Sequence, residues 1–376
     1  MASVPELYLG LISGTSMDGI DAALVDFSDA RPRLQASRTH PWDTGVRARL
    51  AALAQAPQST GLETLGRLDH AVGHCFAEAA LALLQQAGVD PQHVRAIGSH
   101  GQTIYHQPLG DEPFTMQIGD PSLIAERCGI DVVADFRRAD LAAGGQGAPL
   151  VPPFHAAMLQ LAGRCRVVLN LGGIANVTVL RANDHVFGFD TGPASGLLDT
   201  WCLRHRGEPF DRDGAFAASG RVDDALLRAL LADPYFALPP PKSTGREYFH
   251  LEWLASRGDV SRLQPADVQA TLLELTTRSV ADAIAEHAAD TDEILVCGGG
   301  VHNAVLLRRL RELLAPRSVA STAEHGIDPD FVEAMAFAWL ARQYLLRRPG
   351  NLPAVTGARG PRILGALHCA PPAATA

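Results

Sequence analysis

Lysine is almost absent from this chain: among 32 basic residues in 376, Lys242 is the one lysine. A Walker A loop needs Gly directly before its Lys, and a protein-kinase lobe needs a Lys inside a Val-Ala-Ile-Lys-like strand. Pro239-Pro240-Pro241 precedes Lys242, so both phosphate-binding devices are excluded. A bound nucleotide must then be held by backbone amides, Arg or a metal. No Gly-x-Ser-x-Gly elbow occurs, which removes an α/β-hydrolase. The six cysteines stand far apart, without a Cys-x-x-Cys pair or zinc spacing, and read as reduced, mostly buried thiols. The net charge of -9 comes without a run of five like charges, so nucleic acid is not an expected partner. Apolar runs fall far short of the ~20 residues that span a bilayer, so no membrane span is expected. No basic region precedes the first apolar stretch, so no secretory signal is visible and the expected compartment is the cytoplasm.

What the chain does have is the length for two lobes sharing a cleft, with 47% hydrophobic and 19% charged residues. Tyr8 to Ile12 and Ile20 to Phe27 read as a β-hairpin whose wide polar tip carries Gly14 and Gly19. Apolar residues at Leu62, Leu65, Leu68, Val72, Phe76, Ala79 and Leu83 give a helical stripe. Strands are expected at 94–98 and 130–136, separated by a helix begun by Asp120 and Pro121. The opening then repeats itself, as Arg166 to Leu180 forms a second strand, glycine turn and strand. The later chain is more helical, with helices from Pro265 to Ala289 and after Asp328-Pro329. Between them the strand Glu293 to Cys297 runs into Gly298-Gly299-Gly300, with His302-Asn303 opening a further helix. Strand, glycines and helix N-terminus make a geometry that suits a nucleotide.

A glycine-bearing tip lets several N–H groups aim at a phosphate, and Ser and Thr add donors, so Gly14, Thr15 and Ser16 fit that need. An ordinary hairpin using glycine only for its positive φ is the alternative. Asp18 and Asp21 offer oxygen to Mg²⁺, against a plain role in turn chemistry. Asp190 ends a short apolar stretch just before a helical segment and either points into a cleft or caps that helix. Ser99-His100-Gly101-Gln102-Thr103 is a plausible sugar-binding edge, and no second ligand at metal spacing accompanies His100 or His106. Arg137 and Arg138 suit a carboxylate or phosphate, or a surface ion pair.

These segments together resemble the anhydro-N-acetylmuramic acid kinase family, within the superfamily of sugar kinases, chaperone ATPases and actin. The resemblance rests on Gly10 to Asp21, Gly98 to Thr103, Gln117 to Asp120, Asp135 to Arg138, Gly144 to Pro152, Asn170 to Asn176, Gly188 to Pro193, Pro241 to Glu247, Cys297 to Gly300 and Glu333 to Leu340, in order along nearly the whole chain. It implies an α/β, two-lobed, duplicated actin-like ATPase (ribonuclease H-like) fold with an interlobe cleft. The lobes expected are residues 1–137 plus 347–376, and residues 138–346.

The resemblance also implies ATP-dependent opening of the 1,6-anhydro bond of anhydro-N-acetylmuramic acid during cell-wall recycling. The products are N-acetylmuramate 6-phosphate and ADP, with water as second substrate, Mg²⁺ as cofactor and a cytoplasmic homodimer as the working form. On the family's pattern Gly14, Thr15, Ser16, Met17, Asp18, Gly19, Ile20 and Asp21 hold the ATP phosphates, with Asp18 and Asp21 toward the metal. Gly172 and Gly173 form the second phosphate side, and Gly298, Gly299 and Gly300 meet the adenosine. Asp190 is the general base. Glu333 is a second acidic sugar contact, Gln102 and Thr103 lie at the sugar edge, and Arg137 or Arg138 meets the lactyl carboxylate. A first-turn acid complementing the helix dipole is the alternative for Glu333. Two positions depart from the family pattern: Ala194-Ser195 replaces Gly-Asn, and Ala139 replaces a third Arg. Two rivals would use the same glycine-bearing loops, a kinase acting on a free sugar hydroxyl and an ATP-switched binding protein.

Overall fold

The computed structural model describes residues 5–14, 17–29, 31–55, 60–183, 185–245 and 248–372. The chain begins with strands β1 (Leu7–Ser13), β2 (Ile20–Asp26) and β3 (Arg33–His40), then helices α1 (Thr44–Gln55) and α2 (Leu62–Ala87). Next come β4 (Val94–Gln107), β5 (Phe114–Ile118), α3 (Pro121–Cys128), β6 (Val132–Ala134), α4 (Arg138–Ala142) and α5 (Pro152–Leu159). A second series follows as β7 (Arg166–Leu171), β8 (Ile174–Leu180), β9 (Val186–Pro193), α6 (Ser195–Arg206), α7 (Ala215–Ala218), α8 (Asp224–Leu231), α9 (Leu251–Arg257), α10 (Pro265–His287), β10 (Glu293–Cys297), α11 (Ala304–Leu314) and β11 (Ser318–Ser321). The chain closes with α12 (Val332–Leu345), α13 (Pro353–Thr356) and β12 (Ala366–His368).

Two sheets repeat one plan. In the first the order is β12-β6-β4-β1-β2-β3, with β5 added on β4; in the second it is β11-β10-β7-β8-β9. In both, three consecutive strands form an antiparallel meander whose first strand pairs in parallel with the next strand of the series, β1 with β4 and β7 with β10. This is the duplicated ribonuclease H-like topology that the repeated glycine hairpin announces. β1 is buried at all seven positions, as a central strand covered on both faces must be, and its sequence is accordingly a continuous apolar run rather than an alternating one.

Local signals account for the element ends. Asp120 caps α3, its carboxylate accepting from the amides of Ser122 (3.0 Å) and Leu123 (3.1 Å) with Pro121 in the first turn. Along α2, Leu68, Val72, Phe76, Ala79 and Leu83 are buried, the stripe that the sequence spells. Two expectations are corrected. The helix after the triple glycine starts at Ala304, not at His302, because Gly299–His302 is a single 3-10 turn and the Asn303 side chain is the cap, accepting from Leu306 N at 3.0 Å. The strand read at 130–136 is three residues long, 132–134, because Asp135 turns the chain with φ 60°.

The chain divides into two compact units, Met1–Phe154 with Phe331–Ala376, and His155–Asp330. This moves the expected boundaries: residues 138–154 and 331–346 belong with the first unit. Packing gives the reason for both. The buried Asp140 carboxylate accepts from Gly147 N (2.8 Å), Asn351 Nδ2 (2.7 Å) and Thr356 Oγ1 (2.8 Å), stitching the 138–147 stretch to the C-terminal segment. Helix α12, apolar nearly all round and buried from Ala334 to Ala341, lies on β1 and β4. No helix of the described residues is long and apolar enough to cross a membrane. Among the cysteines Cys75, Cys128, Cys165, Cys202 and Cys297 are free and buried, and Cys369 is free and exposed.

Seating of α12 depends on two strand glycines that are register partners. A Cβ on Gly10 would stand 1.8 Å from the Ala334 carbonyl oxygen, and one on Gly98 2.0 Å from that of Phe337. We expect Gly10→Ala to cost at least ~2 kcal/mol in urea unfolding, at the upper end for overpacking because the obstacle is backbone. Gly66→Ala, in an exposed turn of α2 with nothing within 4 Å of the new methyl, should instead gain ~0.5–1 kcal/mol.

Candidate active site

Within the first unit, the tip of the β1–β2 hairpin carries the first group of candidate residues. Its turn is closed by Met17 N donating to Gly14 O (3.1 Å), with Met17 at φ 54°. Thr15 and Ser16, expected as phosphate donors, lie outside the described residues. Gly19 has no room for a side chain, since its Cβ would stand 2.3 Å from Thr39 Cγ2. Ile20, buried, anchors the start of β2 in the core. Asp18 stands out from the tip, its carboxylate 3.9 Å from Arg47. Asp21, on β2, accepts from Thr39 Oγ1 at 2.6 Å.

Gln102 is fully buried beneath this tip, its amide nitrogen reaching Gly14 O (3.4 Å) and Thr103 O (3.2 Å), while its Oε1 has no partner among the described residues. Thr103 is half-buried and accepts from Gln117 Nε2 at 3.1 Å. The two residues therefore differ: Gln102 braces the tip from below, and Thr103 stands beside it at the edge of the β4–β5 ribbon.

Seated by the glycine pair, α12 presents Glu333 from its first turn. Its carboxylate reaches solvent but is crowded by protein, which pushes its pKa up; the Asp21 charge adds to that rise and Arg137 opposes it. The Arg137 guanidinium donates through Nε (3.0 Å) and Nη2 (2.8 Å) to His100 Nε2 and through Nη1 to Gly147 O (2.7 Å). Burial brings its own pKa down to about 10, with Glu333 pulling it back up. Because His100 Nε2 accepts from Arg137, the ring proton belongs on Nδ1, which donates to Gly101 O at 2.9 Å. His100 is thus a neutral bracket for Arg137 rather than a metal ligand, and burial followed by the Arg137 charge holds its pKa well below the ordinary 6.5. His106 bonds Thr115 Oγ1 (3.0 Å). Arg138 takes the other course and points outward to Asp135 at 3.4 Å. Among the described residues no group of three His, Cys, Asp or Glu is gathered as for a metal cage.

The second unit holds Asp190 on β9, paired with Asn176 of β8. The capping alternative fails. Helix α6 takes no side-chain cap, and its first amides go to hairpin-tip carbonyls: Ala194 N and Gly196 N to Gly173 O (3.1 Å each), and Ser195 N to Gly172 O (3.0 Å). Instead the Asp190 carboxylate accepts from Thr244 N at 2.9 Å, and its main chain is gripped from two directions, by Lys242 O on the amide (3.1 Å) and by the Tyr235 hydroxyl on the carbonyl (2.7 Å). Burial, and then the charge of Asp190, raise the Tyr235 pKa, which keeps its proton in place as a donor.

The three glycines after β10 divide their work. Gly298 and Gly300 are pressed against the end of β7, where a Cβ would stand 2.3 Å from Asn170 Oδ1 and 2.5 Å from Leu171 Cβ respectively, whereas Gly299 has open space. Two residues of this site carried no role in the sequence reading, Tyr235 and Thr244. Thr244 lies two residues after the chain's lone lysine, which the triple proline precedes, and that local oddity could have drawn attention to the strap formed by residues 239–245. Tyr235 had only the Asp233-Pro234 turn signal beside it.

Comparison with known proteins matches residues 6–370 to the family model described as "Anhydro-N-acetylmuramic acid kinase". A protein of that name from Xanthomonas campestris is 60% identical over 96% of this chain and 97% of its own length. Another from Vibrio vulnificus is 48% identical over 97% of this chain and 99% of its own. Among solved structures, the activator of the 2-hydroxyisocaproyl-CoA dehydratase from Clostridium difficile aligns with 91% of this chain and 96% of its own at 11% identity and a TM-score of 0.45.

The state of His100 can be read from stability. Below pH 6.5 the unfolded chain protonates this residue while the folded chain does not, so stability falls with pH from that point by about 1.4 kcal/mol per pH unit for the one proton. His100→Gln keeps an acceptor for Arg137 and removes the proton. Urea unfolding at pH 7, 6 and 5 should show a shallower acid-side decline by about that slope; an unaltered slope rejects a neutral His100.

Proposed function

The chain belongs to the anhydro-N-acetylmuramic acid kinase family, and from that premise we propose which of its residues perform each step. The enzyme uses ATP to open the 1,6-anhydro ring of 1,6-anhydro-N-acetylmuramic acid and phosphorylates the 6-oxygen, giving N-acetylmuramate 6-phosphate and ADP in cell-wall recycling. In our reading Asp190 is the general base and water the nucleophile. Water attacks the anomeric carbon, its proton passes to the Asp190 carboxylate, and the bond from that carbon to the bridging oxygen breaks with its electron pair on the oxygen. The bridging oxygen takes the γ-phosphoryl group and ADP departs. An inverting glycosidase needs a second carboxylic acid to protonate the leaving oxygen; here phosphoryl capture replaces that acid, so one base suffices.

The observation that carries this assignment is that Asp190 is fixed by Thr244, Lys242 and Tyr235 while the neighbouring helix draws its bonds from Gly172 and Gly173 carbonyls. A carboxylate held so firmly without serving as a cap is suited to accepting a proton at one defined place.

The remaining roles follow the chemistry of each group. Backbone amides from Gly14 to Asp21 and at Gly172 and Gly173 receive phosphate oxygens, in place of the lysine that this chain lacks. Gly299, with open space at its Cα, is where adenosine approaches, and Gly298 and Gly300 hold that turn against β7. Arg137 uses three of its five N–H groups on His100 and Gly147, and the remainder are offered to the lactyl carboxylate; Glu333 accepts from a sugar hydroxyl. Arg138, paired with Asp135, is the weaker carboxylate ligand of the two. For Mg²⁺ the donor set fits: Asp21 and Asp18 bring hard oxygens, and this ion takes one or two carboxylates and leaves its other positions to phosphate and water. Asp21 also stands close enough to Glu333 to raise its pKa, an excess of negative charge that a cation relieves. When bound, the ion neutralises charge on the phosphates. Cytoplasmic location and a homodimer belong to the same reading.

Product analysis in heavy-oxygen water tests the route. Label should enter the anomeric hydroxyl of the product, and an unlabelled product would reject hydrolytic opening. Asp190→Asn should lower sugar-dependent ADP release by ~10²–10⁴-fold while ATP binding is retained. Near-full turnover in that variant would remove Asp190 from the base role.

A further inference from the structure

We infer that Lys242, the sole lysine, is a positioning residue for the reaction: its ammonium closes a ring of contacts that fixes the Asp190 main chain, and this inference rests on Asp190 being the base. The ring can be followed atom by atom. Lys242 O accepts from Asp190 N at 3.1 Å, and the same residue's Nζ donates to Tyr235 O (3.3 Å) and Phe236 O (3.2 Å). Tyr235 returns to the start by donating its hydroxyl to Asp190 O at 2.7 Å. The two groups that grip Asp190 from opposite directions are therefore tied to each other by one side chain. Two residues on, Thr244 N holds the Asp190 carboxylate at 2.9 Å, so the position of that amide depends on where Lys242 anchors the strap.

The chemistry of the anchor needs an ammonium. Tyr235 and Phe236 lie in the 3-10 turn Pro234–Ala237, whose carbonyls converge at its C-terminal end, and a cation with several donors satisfies more than one of them at once. The ammonium also lies 4.9 Å from the Tyr235 ring centroid. Filling space is not its task, because a cavity of about 270 Å³ adjoins it, lined among others by Phe236, Asp282, Glu286 and His287. Burial lowers the Lys242 pKa, with Glu286 opposing, so the site holds a partly desolvated charge that its contacts must repay. The far side of the turn is equally fixed: buried Asp233 accepts from Tyr235 N (2.8 Å), Tyr248 Oη (2.9 Å) and Trp253 Nε1 (2.8 Å) and pairs with Arg257. Lys242 thus ties the segment that carries Thr244 to a turn held firmly by Asp233.

The experiment combines Lys242→Met, Lys242→Arg and Asp190→Asn in the full-length enzyme with ATP and anhydro-N-acetylmuramic acid. We expect Lys242→Met to lower kcat on the order of tenfold or more, with the KM for ATP within about twofold, since a displaced base affects the chemical step and not nucleotide binding. Lys242→Arg, which restores a cation with several donors, should recover most of the loss. In an Asp190→Asn background the methionine should add nothing to the residual rate, because a residue that acts through Asp190 has nothing left to position. Near-full turnover in Asp190→Asn alone removes the base assignment and this inference with it. A crippled Asp190→Asn beside an unimpaired Lys242→Met, or a multiplicative loss in the double variant, overturns the positioning role alone. Should Lys242→Met fail to fold, reductive dimethylation of the folded wild type reaches one side chain, apart from the N-terminal amine, and leaves it a single N–H for two carbonyls. The dimethylated enzyme should show the same loss of kcat, and retained turnover overturns the inference.

Discussion

The first unit depends on one close approach, of the backbone of α12 to the backbones of β1 and β4. Side chains normally keep a helix away from a sheet, and here Gly10 and Gly98, partners in the β1–β4 ladder, remove that spacer where Ala334 and Phe337 press down. The consequence is positional. A helix fixed by its own carbonyls against strand glycines cannot slide or turn, so Glu333 in its first turn keeps a set relation to Asp21 and Arg137. His100 extends the same anchorage, for its ring packs 4.7 Å from that of Phe337 while its Nε2 receives the Arg137 guanidinium. Acid, guanidinium and hairpin tip are in this way referred to one rigid contact.

The second unit repeats the topology and solves the approach differently. There the glycines sit on the turn rather than on the strand: Gly298 and Gly300 admit Asn170 and Leu171 of β7. Its hairpin tip also has a structural duty, since Gly172 and Gly173 carbonyls complete the start of α6. A tip that gives its carbonyls to a helix turns its peptide planes in a fixed sense, and the opposite edges of those planes are the N–H groups that an anion would meet. One structural arrangement therefore starts α6 and, in the reading proposed above, also turns donors toward a phosphate.

Much of this was legible in the chain. The glycine hairpins, the α2 stripe, the Asp120-Pro121 start and the repeat at Arg166 each rest on a local rule, and the structure follows them because nothing tertiary competes there. What was not legible depends on distant contacts. The split of the chain was misplaced because α12 and residues 138–147 carry no local sign of their partners: Gly10 and Gly98 look like ordinary strand glycines until the helix is laid on them, and Asp140 looks like a surface acid until Asn351 and Thr356 reach it. Likewise Arg137 and Arg138 are adjacent and alike in sequence, yet the chain's turn at Asp135 sends one inward to His100 and the other to the surface. Tyr235 could not be tied to Asp190 from sequence, because 45 residues separate them.

The two departures from the family pattern bear on the same division between main chain and side chain. Ala194 and Ser195 stand where the family has Gly-Asn, but the contacts made there are those of backbone amides with Gly172 and Gly173 carbonyls, which any residue can make. Ala194 has φ -131°, outside the left-handed region that would demand glycine, and its methyl is buried. The main-chain bonds that start α6 are therefore made with Ala194 and Ser195 in place. Ala139 is a loss of a guanidinium in α4; Arg137 stands at the start of that helix, its carbonyl accepting from Leu141 N at 3.2 Å, but its guanidinium is seated by His100 and the Gly147 carbonyl. Main-chain groups share in holding each of three side chains of the candidate site or their backbones, Thr244 N and Lys242 O for Asp190, Gly147 O for Arg137 and Gly14 O for Gln102, beside the side chains of Tyr235 and His100. Replacing Ala194, Ser195 or Ala139 therefore leaves these contacts in place, whereas an apolar residue in place of Tyr235, His100 or Lys242 removes a side-chain hydrogen bond.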